Sequence, residues 1–239
     1  MGRDDCQVVS VPQKRTKERE DRLHRETVFL FSCESCHLSP KRISYRLKMK
    51  ELRDIKERIV HTMKNTLQVL KERRSVRGYT DKLVPEETLD KIIEAGLYAP
   101  STRQDTVLIV VQDPQTVAIL KKLNARIVEE QRGQSSGDPY YGAPTIIAVI
   151  AKKSSSCALY NGSLVLGNLM NAAHALGVES CWIHRAKEVF ELDEGKVLLS
   201  EWGLDADEYI GIGNLALGYP SGDYPVAEPR DASRVIKVL

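Results

Sequence analysis

The sequence predicts an α+β domain with a mixed central sheet flanked by helices, and three observations predict it. Residues Val107 to Val111 and 144–150 are short apolar runs rich in β-branched residues, the signature of buried strands. Other segments carry apolar residues at helical spacing, as Leu89, Ile92, Ile93 and Leu97 do. The two kinds alternate as helix, helix, strand, helix, strand, helix, strand, helix, strand, an order that places helices on the faces of a sheet.

The elements follow in chain order. Thr66 to Arg74 reads as a short helix with Leu67 and Leu70 inward. Pro85-Glu86-Glu87 opens the next helix: proline suits a first turn, and the two glutamates favour its positive end. Tyr98-Ala99-Pro100-Ser101 ends it, because the residue before proline avoids the α region. After the strand at Val107 to Val111, Asp113-Pro114 reads as an N-cap with proline at the first helical position. The helix it opens carries Val117, Leu120, Leu123 and Ile127. Residues 131–141 are polar and glycine-containing and read as a mobile loop. Leu159 to Leu176 is the most apolar helix, apolar nearly all round, so its own fold or a partner subunit must bury it. Gly177 follows as its C′ residue. Val178 to Ile183 reads as a strand, Lys187 to Glu201 as one helix, and Tyr209 to Leu217 as a glycine-bearing strand.

Composition excludes several classes. Among 239 residues 42% are hydrophobic and 28% charged, which excludes a wholly disordered or collagen-like chain. The longest apolar run, Ala143 to Ala151, is strand-sized, far short of the ~20 residues of a membrane span. A formal charge of +2 gives no global argument for nucleic acid. The charge is uneven, however. Residues 1–62 hold 15 Lys and Arg against 10 Asp and Glu, and the rest hold 20 against 23.

That basic first part reads as an extension, poorly ordered or translated from a misassigned start, and Met63 reads as the beginning of a compact domain running to residue 239. It carries no secretory signal pattern. Within it Cys33-Glu34-Ser35-Cys36-His37 has the C-x-x-C-H form of a haem attachment site. With no export signal before it and no second ligand pair after it, the motif reads as coincidence, and no metal site is expected. Residues 48–62 carry helical charge pairs. The remaining cysteines, Cys157 and Cys181, form no disulfide framework, so a reducing, cytoplasmic setting is the default. Cys181 reads as a small buried residue and His174 as a hydrogen-bonded core histidine.

No nucleophile–base motif, P-loop or dinucleotide fingerprint is present, and Gly211-Ile212-Gly213 is only G-x-G on a strand. What stands out is Arg73-Arg74-Ser75-Val76-Arg77, three guanidiniums beside a hydroxyl between a helix and a turn. Planar guanidiniums bind phosphate bidentately, so the cluster is either an anion site or a solvated basic turn. Three further elements follow in order: Ala99-Pro100-Ser101, Ser180-Cys181-Trp182-Ile183-His184, and Leu217-Gly218-Tyr219-Pro220 leading to Pro229-Arg230.

These four elements in this order resemble the nitroreductase family of FMN-dependent oxidoreductases, over residues 63–239. The arginine cluster matches the family's R-x-S-x-R/K element and Ala99-Pro100-Ser101 its A-P-S turn; residues 161–184 match its long core helix and following strand. The resemblance implies an intertwined homodimer with FMN sites between the subunits. It implies that Arg73 and Ser75, with Arg74 alongside, hold the FMN phosphate and ribityl chain, and that Arg77 lies near the flavin N1/O2 edge. Arg230 would be a second phosphate contact, and Trp182, Ile183 and His184 would lie beside the isoalloxazine ring. Pro100, Ser101 and Gln104 would meet the flavin from the turn. The family usually continues that turn as P-S-x-x-N-x-Q. Here it runs Pro100-Ser101-Thr102-Arg103-Gln104-Asp105-Thr106: counted forward from Ser101, Gln104 takes the Asn position, and counted back from the strand it takes the Gln position with two residues missing, so either way one amide is lost. Tyr140 and Tyr141 either line the substrate channel or anchor their loop.

The implied activity has two half-reactions, with no catalytic protein side chain required. NAD(P)H gives hydride to flavin N5 and leaves, and a small-molecule electron acceptor such as a nitroaromatic or quinone takes its place. No nucleic acid and no membrane partner is expected. Two alternatives stay open: another flavin enzyme of the same fold, such as a deiodinase or dehydrogenase, and a non-enzymatic flavin-binding module that docks through the basic arm.

Overall fold

The computed structural model describes residues 66–238 apart from positions 102 and 136. The basic extension read over 1–62, its C-x-x-C-H motif, the helical charge pattern of 48–62 and the domain start at Met63 lie outside the described residues.

Among the described residues ten elements follow one another: α1 (Thr66–Glu72), α2 (Glu86–Leu97), β1 (Thr106–Val111), α3 (Pro114–Arg132), β2 (Thr145–Lys152), α4 (Ala158–Ala175), β3 (Glu179–Ile183), α5 (Ala186–Glu191), α6 (Asp193–Glu201) and β4 (Tyr209–Gly218). A short 3-10 turn, Ala232–Arg234, comes near the end. The strand order is β1-β2-β4-β3, and each neighbouring pair runs antiparallel. Among the described residues, the parallel component of the expected mixed sheet is a single bridge, Ser75 to Ser180 on the outer edge of β3.

Why β2 reads as a continuous apolar run is visible in the two cores. Ile146, Ala148 and Ile150 point into the core beneath α3, α5 and α6, where Leu120, Leu123, Ile127, Val189 and Leu199 lie. Ile147 and Val149 point into the other core, against Ile92 of α2 and Leu166 and Leu169 of α4. Both faces of a central strand are therefore buried, and alternation is lost. Gly211 and Gly213 owe their place to packing. A Cβ at Gly211 would lie 2.3 Å from the Ala186 carbonyl, and one at Gly213 would lie 2.5 Å from Trp182 Nε1. The register of β2 with β4 shifts at this point, between Val149 and Ile150.

Helix ends follow local chemistry. Asp113 caps α3 by accepting from Thr116 N at 2.8 Å, with Pro114 at the first position. Gly177 takes φ +74, and its N–H donates to His174 O, the expected left-handed C′ residue of α4. Pro85 stands just before α2 as its N-cap.

Four details differ from the sequence reading. Leu67 and Leu70, expected inward on α1, are 65% and 52% exposed, and the helix buries Val69 instead. The single helix expected over 187–201 is two, because Leu192 takes an extended ψ of 151° and turns the chain. The polar stretch 131–141 begins inside α3, which runs to Arg132 and stops at Gly133 with φ +68. Its later part is tied down by Asp138, whose carboxylate accepts from Tyr140 N and Gly142 N, each at 2.8 Å. Lys121 reaches the same carboxylate at 3.1 Å.

Helices α3 and α6 are joined at the surface by Arg126, which donates to both Glu194 oxygens at 2.7 and 3.1 Å. The hydrogen bonds from Arg126 hold the Glu194 carboxyl down to about 2 from an ordinary 4.5. Since the folded value lies below the unfolded one, this contribution is present above the ordinary carboxylate range and fades as pH falls toward 2. We expect Glu194→Gln to melt slightly lower than the parent at pH 7 and to match it near pH 2, as thermal scans at both pH values would show.

Candidate functional site

The site is built where the chain leaves α1 and runs along the free edge of β3. Val76 N donates to Ser180 O at 3.1 Å, and Ser75 bridges Ser180. Three residues on, Tyr79 N donates to Tyr141 O at 3.2 Å, Thr80 N donates to Tyr219 O at 2.9 Å, and Tyr79 bridges Pro220. Three of the four singled-out elements thus lie side by side: the arginine cluster, the 180–184 strand and the 217–220 turn. Gly218 permits the closeness, since a Cβ there would meet Tyr79 Cδ1 at 3.1 Å and Pro144 Cδ at 3.2 Å.

The fourth element lies elsewhere. Ser101 accepts from Gln104 N at 3.1 Å in the turn before β1, and Asp105 accepts from Asn161 of α4 at 3.0 Å. The arginine cluster instead meets the other end of α4, near His174. Thirteen residues separate Asn161 from His174, which is about 20 Å at ~1.5 Å rise per residue. One chain does not bring Pro100, Ser101 and Gln104 to Arg73.

Unpartnered donors concentrate at the first location. Among the described residues, the buried side-chain polar atoms without a protein hydrogen-bond partner include Arg73 Nη1, Arg74 Nε, Ser180 Oγ and Trp182 Nε1. All four residues sit on the two paired segments, with Trp182 Nε1 turned inward over Gly213 of β4. Arg and indole N–H groups can only donate, and a buried donor without an acceptor costs about 1–3 kcal/mol. The arrangement is therefore shaped for an acceptor-rich, anionic group.

The other side chains divide clearly. Cys181 is buried against the cluster; burial pushes its thiol up, while Arg77, the Ser75 hydroxyl and Arg73 pull it back, and the net shift is upward. It stays protonated at neutral pH and reads as an inert core residue. Trp182 is half-buried and stacks on the exposed His184 at 6.1 Å. The His184 carbonyl accepts from the fully buried Asn124 at 2.8 Å. Ile183 is buried in the α3-side core, so only its backbone can face a ligand. Arg77 is exposed, 6.0 Å from the centre of the Tyr141 ring. Arg230 is exposed on the segment after β4.

Tyr140 requires a correction. It is wholly buried, and its hydroxyl accepts from Asn214 at 2.9 Å, so it anchors the loop and lines no channel. Its partner in the prediction, Tyr141, is 37% exposed and remains able to meet a ligand.

Backbone strain marks the same places. Gln104, Tyr141 and Arg185, the residue after His184, are the non-glycine residues with positive φ among those described, at 49°, 58° and 75°. Such conformations cost ~1–3 kcal/mol each and gather where function holds them.

The sequence reading did not link His174, Glu179 and Tyr224. His174 Nδ1 lies 2.8 Å from Glu179 Oε1, both buried, which makes it the hydrogen-bonded core histidine expected. Tyr224 stacks on it at 5.8 Å. A tyrosine fifty residues from its histidine leaves no periodic signal.

Comparisons with known proteins agree on one group. A family model described as the nitroreductase family matches residues 70–219. A protein of Archaeoglobus fulgidus named "Putative NADH dehydrogenase/NAD(P)H nitroreductase" is 27% identical over 176 residues, covering 71% of this chain and 93% of its own length. A Bacteroides fragilis nitroreductase crystallised with bound FMN is 29% identical, with a TM-score of 0.65 over 73% of this chain and 98% of that one. A Desulfovibrio desulfuricans protein described as a "putative nitroreductase in complex with FMN" is 26% identical, with a TM-score of 0.55 over 72% of this chain and 95% of that one.

Proposed function

This chain belongs to the nitroreductase family, and from that membership we propose that it binds FMN and carries reducing equivalents from NAD(P)H to a small-molecule acceptor such as a nitroaromatic or quinone. The observation that supports this best is the set of unpartnered donors, Arg73 Nη1, Arg74 Nε and Ser180 Oγ, where the arginine cluster runs along the outer edge of β3. They suit a phosphate, which is rich in acceptors. When bound, FMN supplies the hydride acceptor and donor of the reaction.

The residues divide the remaining work. Arg73 and Arg74, with Ser75, hold the phosphate end. Arg77 provides a positive charge for the electron-rich edge of the reduced ring. Trp182 and His184 stack to give a flat wall, and Asn124 holds the His184 carbonyl in place. Tyr141 is placed to meet the acceptor. No side chain acts as a general base, and the chain's task is to place reactants and keep water out.

Pro100, Ser101 and Gln104 complete the site from a second copy of the chain, since they stand about 20 Å away within one copy. Homodimerisation has a surface to use: Tyr160 and Leu164 on α4, with Leu97 at the end of α2 and Tyr98 after it, are all exposed by 47% or more. Apolar exposure of this kind marks an interaction face. Sedimentation of the purified chain should give a dimer.

In this reading residues 63–239 form the flavin domain and the basic segment before it is an extension. No described helix is long and apolar enough to cross a membrane. Cys157 and Cys181 are free thiols, which suits a reducing cytoplasm.

The decisive measurement is a visible spectrum before and after anaerobic NADPH and NADH. A yellow protein whose flavin bands bleach supports the proposal. A protein that stays colourless after incubation with FMN overturns it.

A further inference from the structure

The Tyr224 hydroxyl touches the backbone on both sides of Arg73. Arg74 N donates to it at 2.9 Å, and Glu72 O lies 3.2 Å away as an acceptor. Behind it stand Glu179 Oε2 at 3.2 Å and His174 Nδ1 at 3.3 Å. The phenol carries one proton, so Glu72 O and Glu179 Oε2 share it, while Arg74 N–H holds one of its lone pairs. The tyrosine ring is fixed by its stack on His174, at 25° between planes. His174 is fixed in turn by Glu179 at 2.8 Å, and the two are 3% and 8% exposed. Burial, and then the Glu179 charge, push the Tyr224 phenol up, so it stays a neutral donor at neutral pH.

Two anchors therefore bracket the arginine cluster. On one side Tyr224 clamps the peptide groups flanking Arg73. On the other, Val76 N and Ser75 are pinned to Ser180. The Arg73 guanidinium stands between them with Nη1 buried and unpartnered. A guanidinium held this way has its direction set before any ligand arrives, which lowers the ordering cost of binding.

We propose that Tyr224, seated on the buried His174–Glu179 pair, is a positioning residue that aims Arg73 and Ser75 at the phosphate of the cofactor, and so couples the chain after β4 to phosphate recognition. The proposal rests on the reading of the cluster as an FMN phosphate site.

The test compares FMN with riboflavin, which has the same ring and side chain without the phosphate. Flavin-stripped full-length chain and its Tyr224→Phe variant are titrated with each ligand by flavin fluorescence. Phe keeps the ring stack and removes only the hydroxyl. The variant should bind FMN about tenfold more weakly, the loss of one hydrogen bond to an anion-binding element, with riboflavin changed by less than about twofold. Tyr224→Leu, which also removes the ring, should lose at least as much FMN affinity and again spare riboflavin. An unchanged FMN affinity overturns the proposal, and so does an equal loss for both ligands, which would mark a general scaffold residue. If the parent chain itself fails to prefer FMN over riboflavin, the phosphate-site reading fails, and this proposal with it.

Discussion

Replacing Arg73 and Ser75 together by alanine should weaken FMN binding by at least about 100-fold. A hydrogen bond to a charged group is worth ~1.5–3 kcal/mol, and ~1.4 kcal/mol is a factor of ten, so losing an arginine–phosphate contact and a hydroxyl contact reaches two decades. The fold should be little disturbed. Arg73 Nη1 makes no hydrogen bond within the chain, and the bridge from Ser75 to Ser180 is made by backbone. Flavin-fluorescence titration of the stripped protein, with a melting curve beside it, gives both numbers. Full FMN occupancy in the double variant would place the cofactor elsewhere and remove the proposed site.

Gly195→Ala should destabilise the chain by about 3 kcal/mol, the upper end for overpacking a filled site. The sign is the informative part. Gly195 sits inside α6, where alanine is ordinarily preferred over glycine by ~1 kcal/mol. Here an added Cβ would stand 1.9 Å from the Val189 carbonyl oxygen and 3.0 Å from Phe190 Cα, both backbone atoms of α5 that cannot rotate away. The corner at Leu192 must open, and Val189 and Phe190 leave the core they share with Leu198 and Leu199. Urea unfolding with an unchanged slope and a lower midpoint would report this; a midpoint equal to or above the parent's would show that the corner is not closely packed.

That same corner shows where sequence reasoning stopped. Residues 187–201 keep a helical pattern throughout, and nothing local in Leu192-Asp193-Glu194 forbids a continuous helix. What the turn achieves shows only in the packing, where Val189 and Phe190 of α5 share one core with Leu198 and Leu199 of α6. Tyr140 is a similar case. A tyrosine in a polar stretch reads equally as channel or anchor, and only Asn214 of β4, seventy-four residues away, decides for anchor.

What the sequence determined by itself was everything that depends on neighbours along the chain. The apolar runs of β1 and β2, the Asp113-Pro114 cap, the left-handed Gly177 and the apolar girth of α4 all follow from steric and hydrogen-bonding preferences acting over a few residues. The arginine cluster was legible for the same reason, as three cations within five positions. Only the tertiary structure decided which of these pieces meet. Antiparallel pairing in the order β1-β2-β4-β3 sets the arginine cluster against Ser180 and Tyr219 and leaves Pro100, Ser101 and Gln104 at the far end of α4. It also brings Tyr224, His174 and Glu179 to the two peptide groups around Arg73. Such contacts join residues tens to more than a hundred positions apart, and their energy exists only once both core faces of the sheet are closed.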